Sequence, residues 1–125
     1  MTRVLLDTDV VINLLKKENE FVQKFLSLYE RGARFYYNPI VIAEVCAGVF
    51  ETEINDVNDF FEMLIKIDIC KQTGIQAGMY ANRYKKAYNR ISLEDYLIAS
   101  CATIHSLCLW TNNKKHYPMN EIEFI

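Results

Sequence analysis

Short apolar runs alternate with longer amphipathic stretches along the chain. Residues 4–6 form a run without polar interruption, which predicts a buried strand. Phe21, Phe25 and Leu28 recur at helical spacing, which predicts a helix with one buried face. By these criteria the strands are residues 4–6, 34–37, 67–69 and 107–110, with 122–125 as a fifth strand or a terminal extension; the helices are residues 10–15, 20–31, 40–49, 55–65 and 73–89, and a sixth begins after Ser92.

This alternation of strands and helices predicts the fold class. Strands separated by helical segments pair in parallel, and right-handed crossovers place helices on both faces of the sheet. The sequence therefore predicts a three-layer α/β/α sandwich with a mainly parallel central sheet of four or five strands, formed by a single domain over residues 1–125. Ligands of such sheets collect at the carboxyl ends of the strands, so we expect the chemistry at that edge.

Composition and charge narrow the possible functions. Hydrophobic residues make up 51% of the 125 residues and charged residues 24%, which is typical of a folded globular chain. The formal net charge of -2 provides no overall positive field, so contact with nucleic acid would require a local basic patch. The sequence shows neither an apolar signal region nor an apolar stretch of about 18 residues, so we expect a cytoplasmic protein that does not enter a membrane.

The four cysteines, at positions 46, 70, 101 and 108, argue against two kinds of site. They form no CxxC pair, and each lies in an apolar run. We therefore expect reduced thiols that pack as small hydrophobic residues, in place of zinc ligands or a disulfide framework.

Polar residues interrupt the apolar pattern at places that the fold brings toward one edge. Asp7 directly follows the first strand, where a carboxylate without a partner is costly. Glu44 lies in an otherwise apolar helix with no Lys or Arg within a helical turn, and Asp95 lies in the first turn of the helix before the fourth strand. Asn112 and Asn113 follow that strand. These residues are the candidates for a site.

Three clustered carboxylates repel one another, and a hard divalent cation is the usual means of keeping them ionised. Oxygen donors without paired His or Cys favour Mg²⁺ or Mn²⁺, and water on such a cation can attack a phosphate. The predicted reaction is phosphodiester hydrolysis. Each residue also has a purely structural explanation: Asp7 and Asp95 as helix caps, Glu44 as the partner of a distant Arg, Asn112 and Asn113 as turn formers. The prediction therefore depends on the combination.

The order and spacing of four motifs resemble the PIN-domain ribonucleases, and most closely the VapC-type toxins of toxin–antitoxin pairs. The resemblance covers essentially the whole chain. The motifs are Leu5-Leu6-Asp7-Thr8-Asp9-Val10-Val11-Ile12, Ile42-Ala43-Glu44-Val45, Glu94-Asp95-Tyr96-Leu97-Ile98-Ala99-Ser100-Cys101-Ala102, and Leu109-Trp110-Thr111-Asn112-Asn113-Lys114-Lys115-His116-Tyr117.

By this resemblance, the three family acids that hold Mg²⁺ or Mn²⁺ fall on Asp7, Glu44 and Asp95. The fourth family position, often Asp but frequently Asn in toxins, falls on Asn113, which can still ligate through its amide oxygen. The loss of one charge is expected to weaken a second cation site or to change this position to water binding. The residues expected to support the acids are Thr8, Asp9, Thr111 and Asn112.

Contact with RNA is assigned to basic residues that flank the acids, with a solvated helix face as the alternative. Tyr80, Tyr84 and Tyr88 are spaced four apart, which favours a core or interface stripe over a base-stacking surface. The resemblance also implies a homodimer and a VapB-like antitoxin whose C-terminal segment enters the acidic groove. The candidates for RNA binding are Arg83, Lys85, Lys86, Arg90, Lys114, Lys115 and His116.

Two other functions fit parts of the sequence. Asp7-Thr8-Asp9 after an apolar strand has the form of the nucleophile motif of haloacid-dehalogenase-like phosphatases, but that family needs an acid pair after the fourth strand, where Thr111-Asn112-Asn113 stands. The missing fourth acid suggests instead a PIN-like domain that binds RNA or protein without cutting. The favoured prediction remains a metal-dependent endoribonuclease.

Overall fold

The computed structural model describes residues 2–125 and contains four strands and six α-helices in that range. Two short 3₁₀ turns cover Glu51–Glu53 and Lys114–His116. The strands are β1 (Arg3–Leu6), β2 (Arg34–Tyr37), β3 (Ile65–Lys66) and β4 (Cys108–Trp110); the helices are α1 (Thr8–Leu15), α2 (Asn19–Glu30), α3 (Pro39–Ala47), α4 (Ile54–Glu62), α5 (Lys71–Tyr84) and α6 (Leu93–Ile104).

The sheet is parallel throughout and has the strand order β3-β2-β1-β4. The central strand β1 pairs with β2 from Arg3↔Arg34 onward and with β4 from Val4↔Cys108 onward. Six helices flank this sheet, so the prediction of an α/β fold with a parallel central sheet is confirmed. No helix within residues 2–125 has the length and apolar character needed to cross a membrane.

Local sequence explains where the elements near the sheet edge begin. Asn38 caps α3 because its Oδ1 accepts the backbone N–H of Val41 at 3.3 Å, and Pro39 fits the first helical position. Ser92 and Asp95 form a reciprocal capping box at the start of α6, each side chain accepting the other's backbone N–H at 3.2 Å. Both caps mark where these helices begin, at the carboxyl edge of the sheet.

Two predicted boundaries are wrong. The third strand is Ile65–Lys66 and not residues 67–69, because α4 already ends at Glu62 and the chain turns directly into pairing with β2. Of the two alternatives for residues 122–125, the structure shows the terminal extension, with one parallel bridge between Leu109 and Phe124. The helix predicted over 73–89 ends at Tyr84, where its carbonyl oxygen accepts the backbone N–H groups of the two turn residues 87 and 88.

Two burial predictions also need correction. The apolar pattern of residues 73–89 predicts an inner stripe that includes Ile75 and Met79, but both are about half exposed. The buried residues of α5 are Thr73, Ala77 and Tyr80. Thr73 and Tyr80 contact α6 directly, since the Thr73 carbonyl accepts the hydroxyl of Ser100 and the Tyr80 hydroxyl donates to Thr103. The buried face of α5 is therefore narrower than its apolar pattern predicts. All four cysteines are free; Cys101 is buried as expected, but Cys70 is exposed at the start of α5.

The strand order places the expected ligand edge between β1 and β4. The chain runs outward from β1 through β2 to β3, and then returns to the other side of β1 to form β4. The strand order therefore reverses at β1, and in sheets of this kind ligands bind at the carboxyl ends of the two strands that flank the reversal. Asp7 follows β1 and Thr111 follows β4, so both stand at these carboxyl ends.

Candidate active site

Asp7 is buried at the carboxyl end of the central strand, and both of its oxygens are hydrogen-bonded. Oδ1 accepts the backbone N–H of Thr8 at 2.8 Å, which makes Asp7 the N-cap of α1. Oδ2 accepts the hydroxyls of Thr111 at 2.8 Å and Tyr117 at 2.9 Å. Three donors from three segments therefore fix the orientation of this carboxylate.

Asp9 lies two residues after Asp7 and connects α1 to the loop after β4. Its Oδ2 accepts the backbone N–H of Asn112 at 3.0 Å, while its Oδ1 is buried and has no hydrogen-bond partner within residues 2–125. Thr111 completes the loop, since its hydroxyl oxygen accepts the backbone N–H of Asn113 at 3.0 Å. The sequence after β4 thus folds back onto the two aspartates.

Glu44 reaches the same cavity from α3 but is held differently. Its side chain is exposed, and its Oε1 accepts the hydroxyl of Thr8 at 2.6 Å. No Lys, Arg or His in the described part of the chain forms an ion pair with it, so the pairing with a distant Arg that could have explained this acid is absent. Glu44 is therefore linked to Asp7 only through the neighbouring threonine.

Asp95 reaches the site from the first turn of α6 and connects to Asp7 through one tyrosine. The hydroxyl of Tyr117, which donates to Asp7, lies 3.5 Å from Asp95 Oδ1. The other oxygen of Asp95 lies 3.0 Å from His116 Nδ1, and the Asn113 amide nitrogen is 3.2 Å from that same ring nitrogen. His116 and Asn113 are thus coupled to an acid of the site.

The four acids Asp7, Asp9, Glu44 and Asp95 border one cavity of about 370 Å³ at the carboxyl edge of the sheet. Burial raises the pKa of Asp7 despite its three donors, and burial together with the charge of Asp7 raises the pKa of Asp9 to about 6. Burial and the neighbouring aspartates also raise the pKa of Glu44. The site therefore concentrates negative charge that the protein alone does not neutralise.

The carboxylates of the cavity offer oxygen ligands to a divalent cation, although they do not form a complete protein cage. Within residues 2–125, no three His, Cys, Asp or Glu side chains form a group ready to hold a metal ion. Asp7 and Asp95 nevertheless meet at one tyrosine hydroxyl, and Asp9 carries an orphaned buried oxygen. Because Mg²⁺ is usually bound by one or two carboxylates and keeps several waters, these oxygens fit such an ion without a complete protein cage.

The predicted RNA-binding residues separate into two groups. Arg90 and His116 border the acid-lined cavity, and Lys115 borders an adjoining one. Arg83 lies elsewhere, 3.8 Å from the carboxylate of Glu121, in a cavity formed by α5 and α6. Lys85, Lys86 and Lys114 border neither of the two cavities; Lys114 lies over the ring of Phe124 at 5.3 Å.

Tyr117 is the residue of the site that sequence reasoning missed. It is 97% buried in a segment otherwise composed of polar residues, and it bridges two carboxylates. A buried tyrosine hydroxyl needs a partner, but the sequence alone carries no signal that Tyr117 is buried. Burial, followed by the charges of Asp7 and Asp95, raises the pKa of this phenol far above its ordinary value, so it serves as a donor.

A parallel α/β fold with carboxylates gathered at the carboxyl ends of β1 and β4 defines the class of protein, and comparison with known proteins identifies the family. The PIN-domain profile matches residues 4–122. Ribonuclease VapC10 of Mycobacterium tuberculosis is 31% identical over 121 residues, covering 94% of this chain and 88% of the relative. Ribonuclease VapC19 of the same organism is 29% identical over 115 residues, 92% of each chain. The chain belongs to the PIN-domain family.

A solved structure shows the same fold. The structure of VapBC2 from Rickettsia felis, bound to a DNA fragment from its promoter, contains a chain that superposes on this one with a TM-score of 0.84. The two sequences are 21% identical, and the alignment covers 99% of this chain and 98% of the other. The four-stranded parallel sheet with its six helices is therefore the architecture of a known group of PIN-domain proteins.

Proposed function

We propose that this chain is an endoribonuclease and the toxin of a toxin–antitoxin pair. The observation that carries the proposal is the junction of Asp7 and Asp95 at the hydroxyl of Tyr117. The two acids border one cavity together with Glu44. Family membership and the names of the ribonuclease relatives support RNA as the substrate. The phosphatase alternative is set aside because the family match covers nearly the whole chain.

PIN-domain ribonucleases generally depend on divalent metal ions, and we propose Mg²⁺ or Mn²⁺ for this chain. Asp7 and Asp95 would hold the ion, with Glu44 and Asp9 beside them. When bound, the ion would supply charge neutralisation at the phosphate and a water of lowered pKa. The chain's own contribution is orientation: Thr111 and Tyr117 fix Asp7, and His116 fixes Asp95.

The same site supports proposals about partners. We propose that a VapB-like antitoxin covers the acid-lined cavity, since a solved structure of the same fold, from Klebsiella pneumoniae, is named as a toxin–antitoxin complex. An arginine inserted among these carboxylates would compete with the cation through charge and bidentate hydrogen bonding. We also propose that the toxin acts as a homodimer.

The experiment is a cleavage assay on single-stranded RNA with purified protein free of antitoxin. We expect cleavage in Mg²⁺ or Mn²⁺, none in excess chelator, and a loss of at least about 10³-fold in Asp7→Asn, because the most strongly held acid is neutralised. Asp68→Asn is the matched control, since Asp68 forms an exposed pair with Lys66 and borders no part of the acid-lined cavity. Equal rates for wild type and Asp7→Asn would refute the proposal.

A second candidate function follows from Asn113. This residue contacts His116 where the family often has a fourth acid, so the site has one negative charge fewer. A PIN-like domain that binds RNA without cutting it is therefore the alternative. The same assay separates the two, because this alternative predicts RNA binding by the wild type with intact RNA in both cations.

A further inference from the structure

A second cavity adjoins the acid-lined one. Its volume is about 380 Å³, and it shares Arg90, Asn113 and His116 with its neighbour. Its other walls are the turn between α5 and α6, residues 87–91, and Lys115. Because the two cavities share three residues, a polymer that binds at the carboxylates meets this second cavity next.

The second cavity is lined by an exposed aromatic side chain, Tyr88. Tyr88 borders it with 44% of its surface exposed. One side of the ring is supported by Tyr84 in an edge-on contact at 6.1 Å, and Tyr84 lies 6.3 Å from the buried Tyr80. The backbone N–H of Tyr88 donates to the Tyr84 carbonyl at 2.9 Å. Tyr80 is thus part of the core, whereas Tyr88 is exposed with its ring held in place.

The same cavity carries positive charge that the protein does not use. Within residues 2–125, neither Arg90 nor Lys115 forms an ion pair with an acid, although four carboxylates line the adjoining cavity. Arg83, by contrast, pairs with Glu121 on another surface. Two free cations beside an exposed ring are the combination that single-stranded nucleic acid requires.

A third cavity, of about 360 Å³ between α1 and α3, shares Ile12 with the acid-lined one and has a different chemistry. Its walls are mainly apolar side chains such as Leu15 and Val45, with Lys16 and Glu53 as its charged residues. A phosphate would meet one cation beside an acid there, and no aromatic side chain lines this cavity. An RNA strand at the carboxylates is therefore favoured to continue toward Tyr88.

We propose that the cavity around Tyr88 binds the nucleotide next to the scissile phosphate of a single-stranded RNA. Tyr88 stacks on the base, and Arg90 and Lys115 bind the adjoining phosphates. An unpaired base is required, since a base within a duplex cannot offer its face to the ring. This subsite rests on the proposed ribonuclease function and adds to it a requirement for an unpaired nucleotide at one fixed position.

The first test detects stacking without cleavage. A short single-stranded RNA carries the fluorescent base 2-aminopurine at successive positions and is titrated with the full chain in chelator. We expect one position at which binding quenches the fluorescence strongly, with quenching kept in Tyr88→Phe and lost in Tyr88→Leu. Tyr29→Leu is the control, because Tyr29 is 66% exposed on α2 and borders neither cavity.

The second test separates stacking from a general loss of structure. At the quenched position the base is removed from the RNA, leaving the sugar and phosphates. Tyr88→Leu is expected to weaken binding of the intact RNA about tenfold and of the abasic RNA by less than about twofold. Arg90→Gln and Lys115→Gln are each expected to lower the salt dependence of binding, by about 0.7 in the slope of log K against log salt.

The outcomes distinguish the two proposals. Equal weakening of intact and abasic RNA by Tyr88→Leu, or quenching that survives this substitution, would overturn the subsite while leaving RNA cleavage untouched. Absence of cleavage in Mg²⁺ and Mn²⁺ together with quenching that depends on Tyr88 would overturn the ribonuclease proposal and retain the RNA subsite.

Discussion

Asp7 and Glu44 border the same cavity, yet the protein holds them in opposite ways. Asp7 is buried and accepts three hydrogen bonds from α1, the loop after β4 and Tyr117. Glu44 is exposed on α3 and accepts one hydroxyl, from Thr8. Burial and three hydrogen bonds thus preorganise Asp7, the buried half of the site. Glu44, the exposed half, is held by a single hydrogen bond. We therefore expect a change near Asp7 to affect both folding and chemistry, and a change at Glu44 to affect chemistry alone.

The largest effect that sharpens this comparison is expected from Tyr117→Phe. The substitution removes one donor from a buried carboxylate, which costs about 1.5–3 kcal/mol of unfolding free energy. It also loosens Asp7 and Asp95 together, so RNA cleavage should fall about 10- to 100-fold. Chemical denaturation and the cleavage assay measure the two effects.

Tyr96→Phe is the matched control for this prediction. The hydroxyl of Tyr96 is buried without a hydrogen-bond partner in the described chain, and the residue follows Asp95 directly. Its removal should leave stability and cleavage unchanged or slightly raise stability, because an unsatisfied polar group is lost. Equal losses in both variants would show that the bridge between the carboxylates has no special role.

Glu44→Gln should have a smaller effect, and only on activity. Because the side chain is exposed, the unfolding free energy should change by no more than about 0.5 kcal/mol. Cleavage should fall about tenfold, since the acid borders the proposed cation site. Glu62→Gln, an exposed change on α4, is the control. A loss of stability as large as that of Tyr117→Phe would break the contrast between the two halves.

The smallest effect concerns pH and comes from the buried half of the site. The pKa of Asp9 is raised to about 6 from 3.8, so between these values the folded protein binds more protons than the unfolded chain. Its ionisation therefore lowers stability as pH rises through this window, and Asp7 and Glu44 act in the same direction. Protein in chelator should melt a few degrees higher at pH 5 than at pH 7.

Asp9→Asn isolates this effect, because the amide does not ionise while its oxygen can still accept the N–H of Asn112. The variant should show a weaker dependence of melting temperature on pH, measured by circular dichroism. Identical pH dependence in wild type and Asp9→Asn would contradict the assignment of this instability to the acid cluster.

The sequence predicted the fold because its strongest signals are local. The apolar run before Asp7, the Asn38-Pro39 cap and the Ser92 capping box each leave a clear pattern. The third strand and the end of α5 were misplaced, because a two-residue strand is too short to show a period, and the turn after Tyr84 is fixed by hydrogen bonds that no residue type signals.

The candidate site could be predicted only in part. Asp7, Glu44 and Asp95 stand out because acids interrupt apolar surroundings, and the structure places all three at one cavity. Tyr117 and Tyr88 gave no such signal: one is a buried bridge and the other an open ring, and only three-dimensional packing distinguishes them. Arg83 belongs to the same basic stretch of sequence as Arg90, but it lies on a different surface.

We expect the divalent cation to bind at the buried half of the site. Calorimetric titration of the wild type, Asp7→Asn, Asp95→Asn and Glu44→Gln with Mn²⁺ measures this binding. The wild type should bind Mn²⁺, both aspartate variants should lose binding, and Glu44→Gln should keep weakened but measurable binding. Unchanged Mn²⁺ affinity in Asp7→Asn and Asp95→Asn would contradict this expectation.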